Sequence, residues 1–210
     1  MLVDSEVLSA SVLMQMMAEV DMPLTPEIFR TDFLGRSFAS AAARAMQRFG
    51  RPLPEDFAAT YRTRLLASMV GNLKPMQGVE DVLRAMVIPF CLATGSSPPR
   101  LAVSMAETGL EKFFSGRSFT ASMVKSGKPA PDLFLHVAAE MSVDPKNCLV
   151  IEDSEMGVTA ALAADMHVWH FAGGSHITAG YRLPAEVLPH RVLDTMPALL
   201  DAFRKIGIAA

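Results

Sequence analysis

The stretch Cys148-Leu149-Val150-Ile151-Glu152-Asp153-Ser154-Glu155-Met156-Gly157 decides how this chain is read. Four apolar residues run straight into two adjacent carboxylates and a hydroxyl. A continuous apolar run of this length is what a strand covered on both faces looks like. The helical pattern of residues 154–164 follows at once. Two carboxylates side by side at the tip of a buried strand repel each other, and a bound cation relieves that repulsion. Oxygen ligands suit Mg²⁺, which takes one or two protein carboxylates and completes its shell with waters and phosphate oxygens. Capping of the helix by Asp153 or Ser154, with Glu152 solvated, is the alternative. These ten residues alone do not choose between the two.

Outward from this stretch, strand-like and helix-like segments alternate from residue 74 to the end. Helical patterns cover 78–87, 98–108, 131–141, 154–164 and 196–206; apolar strand patterns cover 90–93, 118–121, 148–151, 167–171 and 191–193. Such alternation predicts a parallel sheet with helices on both faces. In sheets of this kind, ligands bind beyond the carboxyl ends of the strands. The first 73 residues follow another rule. Val7, Leu8, Val12, Leu13, Met16, Met17 and Val20 recur at helical spacing, Pro23 and Pro26 end that segment, and 37–49 and 55–70 are further helices. Much of the methionine lies there, where it is expected to fill gaps in a helical core.

Two more strand tips carry polar residues. Residues 90–93 lead into Thr94-Gly95-Ser96-Ser97-Pro98-Pro99. A hydroxyl leaves the strand, glycine permits close backbone approach, and a helix begins, so free N–H groups can receive an anion. A plain serine cap is the alternative. In Lys125-Ser126-Gly127-Lys128-Pro129-Ala130-Pro131-Asp132, Pro129 holds Lys128 extended and Pro131 can open the next helix. A lysine fixed in this way can aim its ammonium at a phosphate; a solvated loop lysine is the alternative. Taken together, a hydroxyl, a lysine and a carboxylate pair at strand tips make a Mg²⁺-assisted phosphoryl site.

Composition narrows the classes. At 210 residues the chain is one domain with an insertion, or two small ones. With half its residues hydrophobic and 20% charged, it is not a disordered chain. A net charge of −3 without a basic block argues against nucleic acid. No apolar run reaches the roughly 20 residues of a membrane helix. Asp4 and Glu6 stand where a signal peptide carries basic residues, so the protein is expected to be cytoplasmic. Cys91 and Cys148 are expected to be reduced and buried. His167 and His170 form an H-x-x-H on a strand, which places their rings on opposite faces and argues against a shared metal.

These motifs resemble those of the haloacid dehalogenase-like hydrolase superfamily, in particular its small phosphatases with a helical cap. The matching segments are Leu2-Val3-Asp4-Ser5-Glu6, Ala93-Thr94-Gly95-Ser96, Gly127-Lys128-Pro129-Ala130-Pro131-Asp132, and Ile151-Glu152-Asp153-Ser154 with Gly157. The resemblance implies an α/β Rossmann-like core from residues 1–4 and 74–210, with an inserted cap over 5–73. It also implies a small phosphorylated metabolite, such as a sugar phosphate, as substrate and Mg²⁺ as cofactor. By the same resemblance, Thr94 holds the phosphoryl group and Lys128 neutralises it. Gly95 and Ser96 line the anion site. Asp153 binds the metal with Glu152 close by, and Arg36 in Gly35-Arg36-Ser37 reaches the substrate from the cap. Asp165 stands where the family often has glycine; Asp tolerates a left-handed backbone, so little consequence is expected. A monomer or weak homodimer is expected.

The resemblance fails at the front. The family's first motif is an apolar strand ending in Asp-x-Asp-Gly, whose first aspartate is the nucleophile and whose second is the general acid/base. No such motif occurs in the 210 residues. That strand belongs between the strands at 90–93 and 148–151. Without it those two should stand about 10 Å apart, twice the normal spacing of roughly 4.8 Å. The expectation is an annotated start downstream of the biological one, with Met1 written for a valine-type initiator codon, and a 210-residue form that folds poorly and is inactive. A phosphomutase of the same fold is disfavoured because residues 1–73 contain no lysine to help rebind a phosphorylated intermediate. A non-catalytic binding protein is disfavoured because Thr94, Lys128, Glu152 and Asp153 are all present.

Overall fold

The computed structural model describes residues 1–33, 38–175, 177 and 183–210. The chain divides into two units, Asp4–Leu73 and a second made of Met1–Val3 with Lys74–Ala210.

The first unit is helical: α1 (Ser5–Glu19), α2 (Pro26–Asp32), α3 (Phe38–Phe49) and α4 (Phe57–Met69). Its core gathers Leu13, Met16, Met17, Met22, Phe29, Phe33 and Phe57. Met17, Met22 and Met69 are fully buried, in the gap-filling role expected of an unbranched, polarisable side chain. α1 ends at Glu19, before Pro23 and Pro26 are reached, where the chain turns through Asp21 at a left-handed φ of 55°, and Pro26 opens α2. The Thr25 hydroxyl caps that helix by accepting from the Ile28 N–H at 3.2 Å, and proline at the first helical position sacrifices no intrahelical bond.

The second unit contains α5 (Val79–Ala85), β1 (Leu92–Thr94), α6 (Pro98–Thr108), α7 (Glu111–Phe114), β2 (Ser118–Thr120), α8 (Asp132–Glu140), β3 (Leu149–Glu152), α9 (Glu155–Ala163), β4 (His167–Phe171), β5 (Arg191–Leu193) and α10 (Met196–Lys205). Every strand pair is parallel, but the strands form two sheets, β1-β2 and β3-β4-β5. Both lie in one layer. Leu92 of β1 and Leu149 and Ile151 of β3 pack on the cluster formed by Val79, Val82, Leu199 and Phe203 of α5 and α10. Ala93 of β1, with Cys148 and Val150, packs on the cluster of Phe134, Ala138, Val158 and Ala161 from α8 and α9. Alternate residues of both sheets thus face the same two helical layers.

The split falls between β1 and β3, and among the described residues no strand joins them. Its physical mark is exposure. β4 is buried along four of its five residues, whereas β1 and the first three residues of β3 are only half-buried. Inner strands covered on both faces should be buried throughout. Cys91 and Cys148, at the entrances to β1 and β3, are correspondingly half-buried rather than buried. Partial burial still pushes both thiols up from their ordinary pKa.

β1 begins two residues later than its apolar run. Its pairing starts where the Leu92 N–H meets the Arg117 carbonyl. Phe90 instead packs edge-on against Phe114, ring centres 5.6 Å apart. Asp165 adopts a left-handed φ of 59°, as its short polar side chain allows. His167 is exposed and His170 buried, on opposite faces of β4. No helix among the described residues is long and apolar enough to cross a membrane.

Candidate active site

The polar residues singled out by the sequence lie where the parallel strands end. Thr94 is the last residue of β1 and Glu152 the last of β3. Thr94 Oγ1 accepts a hydrogen bond from the Ser96 N–H at 3.1 Å, which turns the chain sharply after the strand. A hydroxyl can donate one hydrogen bond and accept two, so the Thr94 O–H remains available to donate. Gly95 is exposed, and a side chain there would meet nothing within 4 Å.

Lys128 ties the two sheets together. Its ammonium pairs with Glu152 Oε1 and lies 3.5 Å from the Ala93 carbonyl oxygen. It also sits over the Phe134 ring, 4.7 Å from the centroid. The side chain is 12% exposed, so this charge is partly desolvated and its interactions are weakly screened. The loop that delivers it is pinned by the Asp132 carboxylate, which accepts from the Ser126 N–H at 3.3 Å. An ammonium carries three donors; with Glu152 and Ala93 engaged, one remains.

Glu152 is held from both ends. While Oε1 faces Lys128, Oε2 accepts from the Asp153 N–H at 3.1 Å, the Ser154 N–H at 3.3 Å and the Ser154 hydroxyl at 3.0 Å. Ser154 caps α9 by accepting from the Gly157 N–H at 3.1 Å. Of the capping reading, the Ser154 cap is present, whereas Glu152 is desolvated and ion-paired rather than solvated.

Asp153 is 17% exposed, and its Oδ2 lies 2.5 Å from the Met1 ammonium. Met1, Leu2 and Val3 pack on the α5/α10 cluster, with the Leu2 carbonyl accepting from the Met76 N–H at 2.9 Å. Among the described residues, no three His, Cys, Asp or Glu side chains gather as a ready-made metal cage. One carboxylate is nonetheless within what Mg²⁺ uses, since waters and substrate phosphate oxygens commonly complete its shell. The donor chemistry at Asp153 fits that ion.

The structure thus places Thr94, Gly95, Ser96, Lys128, Glu152 and Asp153 at the carboxyl ends of the strands. Arg36 lies outside the described residues. Sequence reasoning did not foresee that Glu152 and Lys128 are partners, because a contact between residues 24 positions apart leaves no local signal.

Comparison with known proteins agrees with this architecture. The chain is 26% identical over 176 residues to the 6-phosphogluconate phosphatase of Escherichia coli, covering 83% of this chain and 80% of that one. It is 38% identical over 136 residues to a phosphorylated carbohydrates phosphatase of Thermotoga maritima, covering 61% and 62%. The crystal structure of a HAD family hydrolase from Deinococcus radiodurans, with bound phosphate and sodium, superposes with a TM-score of 0.81 at 30% identity over 100% of this chain and 93% of that one. A family model described as haloacid dehalogenase-like hydrolase matches residues 16–165, and the chain belongs to that family.

Proposed function

We propose that the protein is a Mg²⁺-dependent phosphatase of small phosphorylated metabolites, with sugar phosphates as the substrate class. The observation that carries this reading is the Lys128 ammonium, which bridges the ends of β1 and β3 with one donor still free, at the end of the strand that carries Thr94. A dianionic phosphoryl group is what such an arrangement would receive. Two relatives named above are phosphatases, one of 6-phosphogluconate and one of phosphorylated carbohydrates, and a structural relative holds phosphate.

In this reading Thr94 donates to a phosphoryl oxygen, the free Lys128 N–H neutralises a second, and Gly95 and Ser96 shape the turn around them. Glu152 holds Lys128 in place. Asp153 would hold Mg²⁺, which supplies charge neutralisation to the phosphoryl group. Arg36 is proposed to contact the substrate's leaving portion.

The reaction needs a nucleophile, and no Asp-x-Asp-Gly motif occurs in the 210 residues. Among the described residues, β1 and β3 each keep one unpaired edge between the same two helical layers. We propose that an extended segment outside these residues pairs with both edges and carries the attacking aspartate. Its carboxylate would form a bond to phosphorus as the bond to the leaving alcohol breaks, and water would then release phosphate from the aspartyl-phosphate. Without that segment the 210 residues should not turn over.

The test is a phosphate-release screen over phosphorylated metabolites. It compares the 210-residue chain with a version extended by the upstream in-frame codons. Turnover by the extended protein alone is expected. Turnover by the 210-residue chain would overturn the assignment of the nucleophile, and an in-frame stop before any Asp-x-Asp-Gly codons would remove its source.

A further inference from the structure

Gly157 is the third residue of α9, and its φ is not left-handed. Nothing in the backbone requires glycine here, and in a helix alanine is the better residue. The requirement comes from space. A Cβ on Gly157 would stand 2.1 Å from Glu152 Cδ and 2.3 Å from each of its carboxylate oxygens. No real Cβ tolerates such contacts, so the carboxylate would have to leave.

It has nowhere equivalent to go. Glu152 Oε2 is fixed by the Asp153 N–H, the Ser154 N–H and the Ser154 hydroxyl, and Oε1 by the Lys128 ammonium. All of these bonds are made with the carboxylate lying flat on the first turn of α9. Moving it off that turn breaks the pair with Lys128, whose ammonium is left, among the described residues, with the Ala93 carbonyl at 3.5 Å and the Phe134 ring.

We propose that Gly157 is a positioning residue, whose bare α-carbon is the floor on which the Glu152 carboxylate rests and through which the Lys128 ammonium is set at the end of β1. Its consequence for turnover rests on the phosphatase reading; the seat itself does not.

The experiment uses the full natural chain and two readouts that need no turnover. In ¹H–¹⁵N spectra of lysine ammonium groups, the Lys128 signal is assigned by its disappearance in Lys128→Arg. It should be shifted by the Phe134 ring and sharpened by its ion pair. Gly157→Ala is expected to abolish or move that signal and to lower Tm. In a Glu152→Ala background the same substitution is expected to leave Tm unchanged or raise it, because the clash is gone. In a Glu152→Gln background, which keeps the side chain's shape, it should again lower Tm. If Gly157→Ala alone does not fold, recovery of a folded protein in Gly157→Ala/Glu152→Ala supports the proposal. Failure of that double variant to fold, an equal loss of Tm in both backgrounds, or an unmoved Lys128 signal would each overturn it. A protein that passes these tests and hydrolyses no phosphate ester would contradict the function and not the seat.

Discussion

Lys128 concentrates the chemistry of this protein in one side chain. It is nearly buried, tied to Glu152 and to the Ala93 carbonyl, and still has a donor to offer. Lys128→Met keeps an unbranched apolar stem but removes the charge and with it the ammonium–ring contact with Phe134. In the extended protein it is expected to lower kcat/KM by about 10²–10³-fold, as loss of a preorganised electrostatic donor does; steady-state phosphate release measures it. Sequence patterns found Lys128 because Pro129 follows it, and found Glu152 and Asp153 because they end an apolar run. They could not divide labour between the two carboxylates. That depends on which oxygen meets Lys128 and on the space above Gly157, both of which are three-dimensional facts.

At the scale of the element, α9 is the device that presents the carboxylates. Its cap does two things at once, since the Ser154 hydroxyl donates to Glu152 and accepts from Gly157. Ser154→Ala is therefore expected to cost about 1–2 kcal/mol, towards the upper end for a helix cap, read from denaturant unfolding. In the helical unit, Arg64 clamps α1 to α4 through two 2.7 Å bonds to Glu19. Those bonds hold Glu19 below its ordinary pKa of 4.5. The stabilisation is fully present above that value and lost as pH falls through the lower folded one. The pair is exposed, so the effect is small and weakened by salt. The Tm difference between the natural protein and Glu19→Gln should be present at neutral pH and vanish in acid. Helices with a clear period, such as α3 and α10, were legible from sequence. The sequence reading misses α2 although Thr25-Pro26 signals its start, because it takes Pro23 and Pro26 only as breakers. The start of β1 slipped because an apolar run does not reveal where its partner begins to pair.

For the molecule as a whole, the split between β1 and β3 is the dominant feature. Among the described residues each strand leaves one edge without a sheet partner, and β1 and the first three residues of β3 are half-buried where an inner strand should be covered. Unpaired backbone groups in such a place are costly. A version carrying the proposed central strand is expected to melt several degrees or more above the 210-residue chain, by calorimetry, with amide exchange of β1 and β3 slowed most. The alternation of strands and helices was enough to read this layer from sequence, because both faces of every strand must be covered. The most direct test of the whole account is the Mg²⁺ dependence of sugar-phosphate hydrolysis by the extended protein, with Asp153→Asn measured beside it. The account expects no turnover after chelation, recovery on adding Mg²⁺, and a Mg²⁺ requirement raised more than about 100-fold by Asp153→Asn, beyond what loss of an outer partner causes. Hydrolysis that survives chelation, or an unchanged Mg²⁺ requirement in Asp153→Asn, would contradict it.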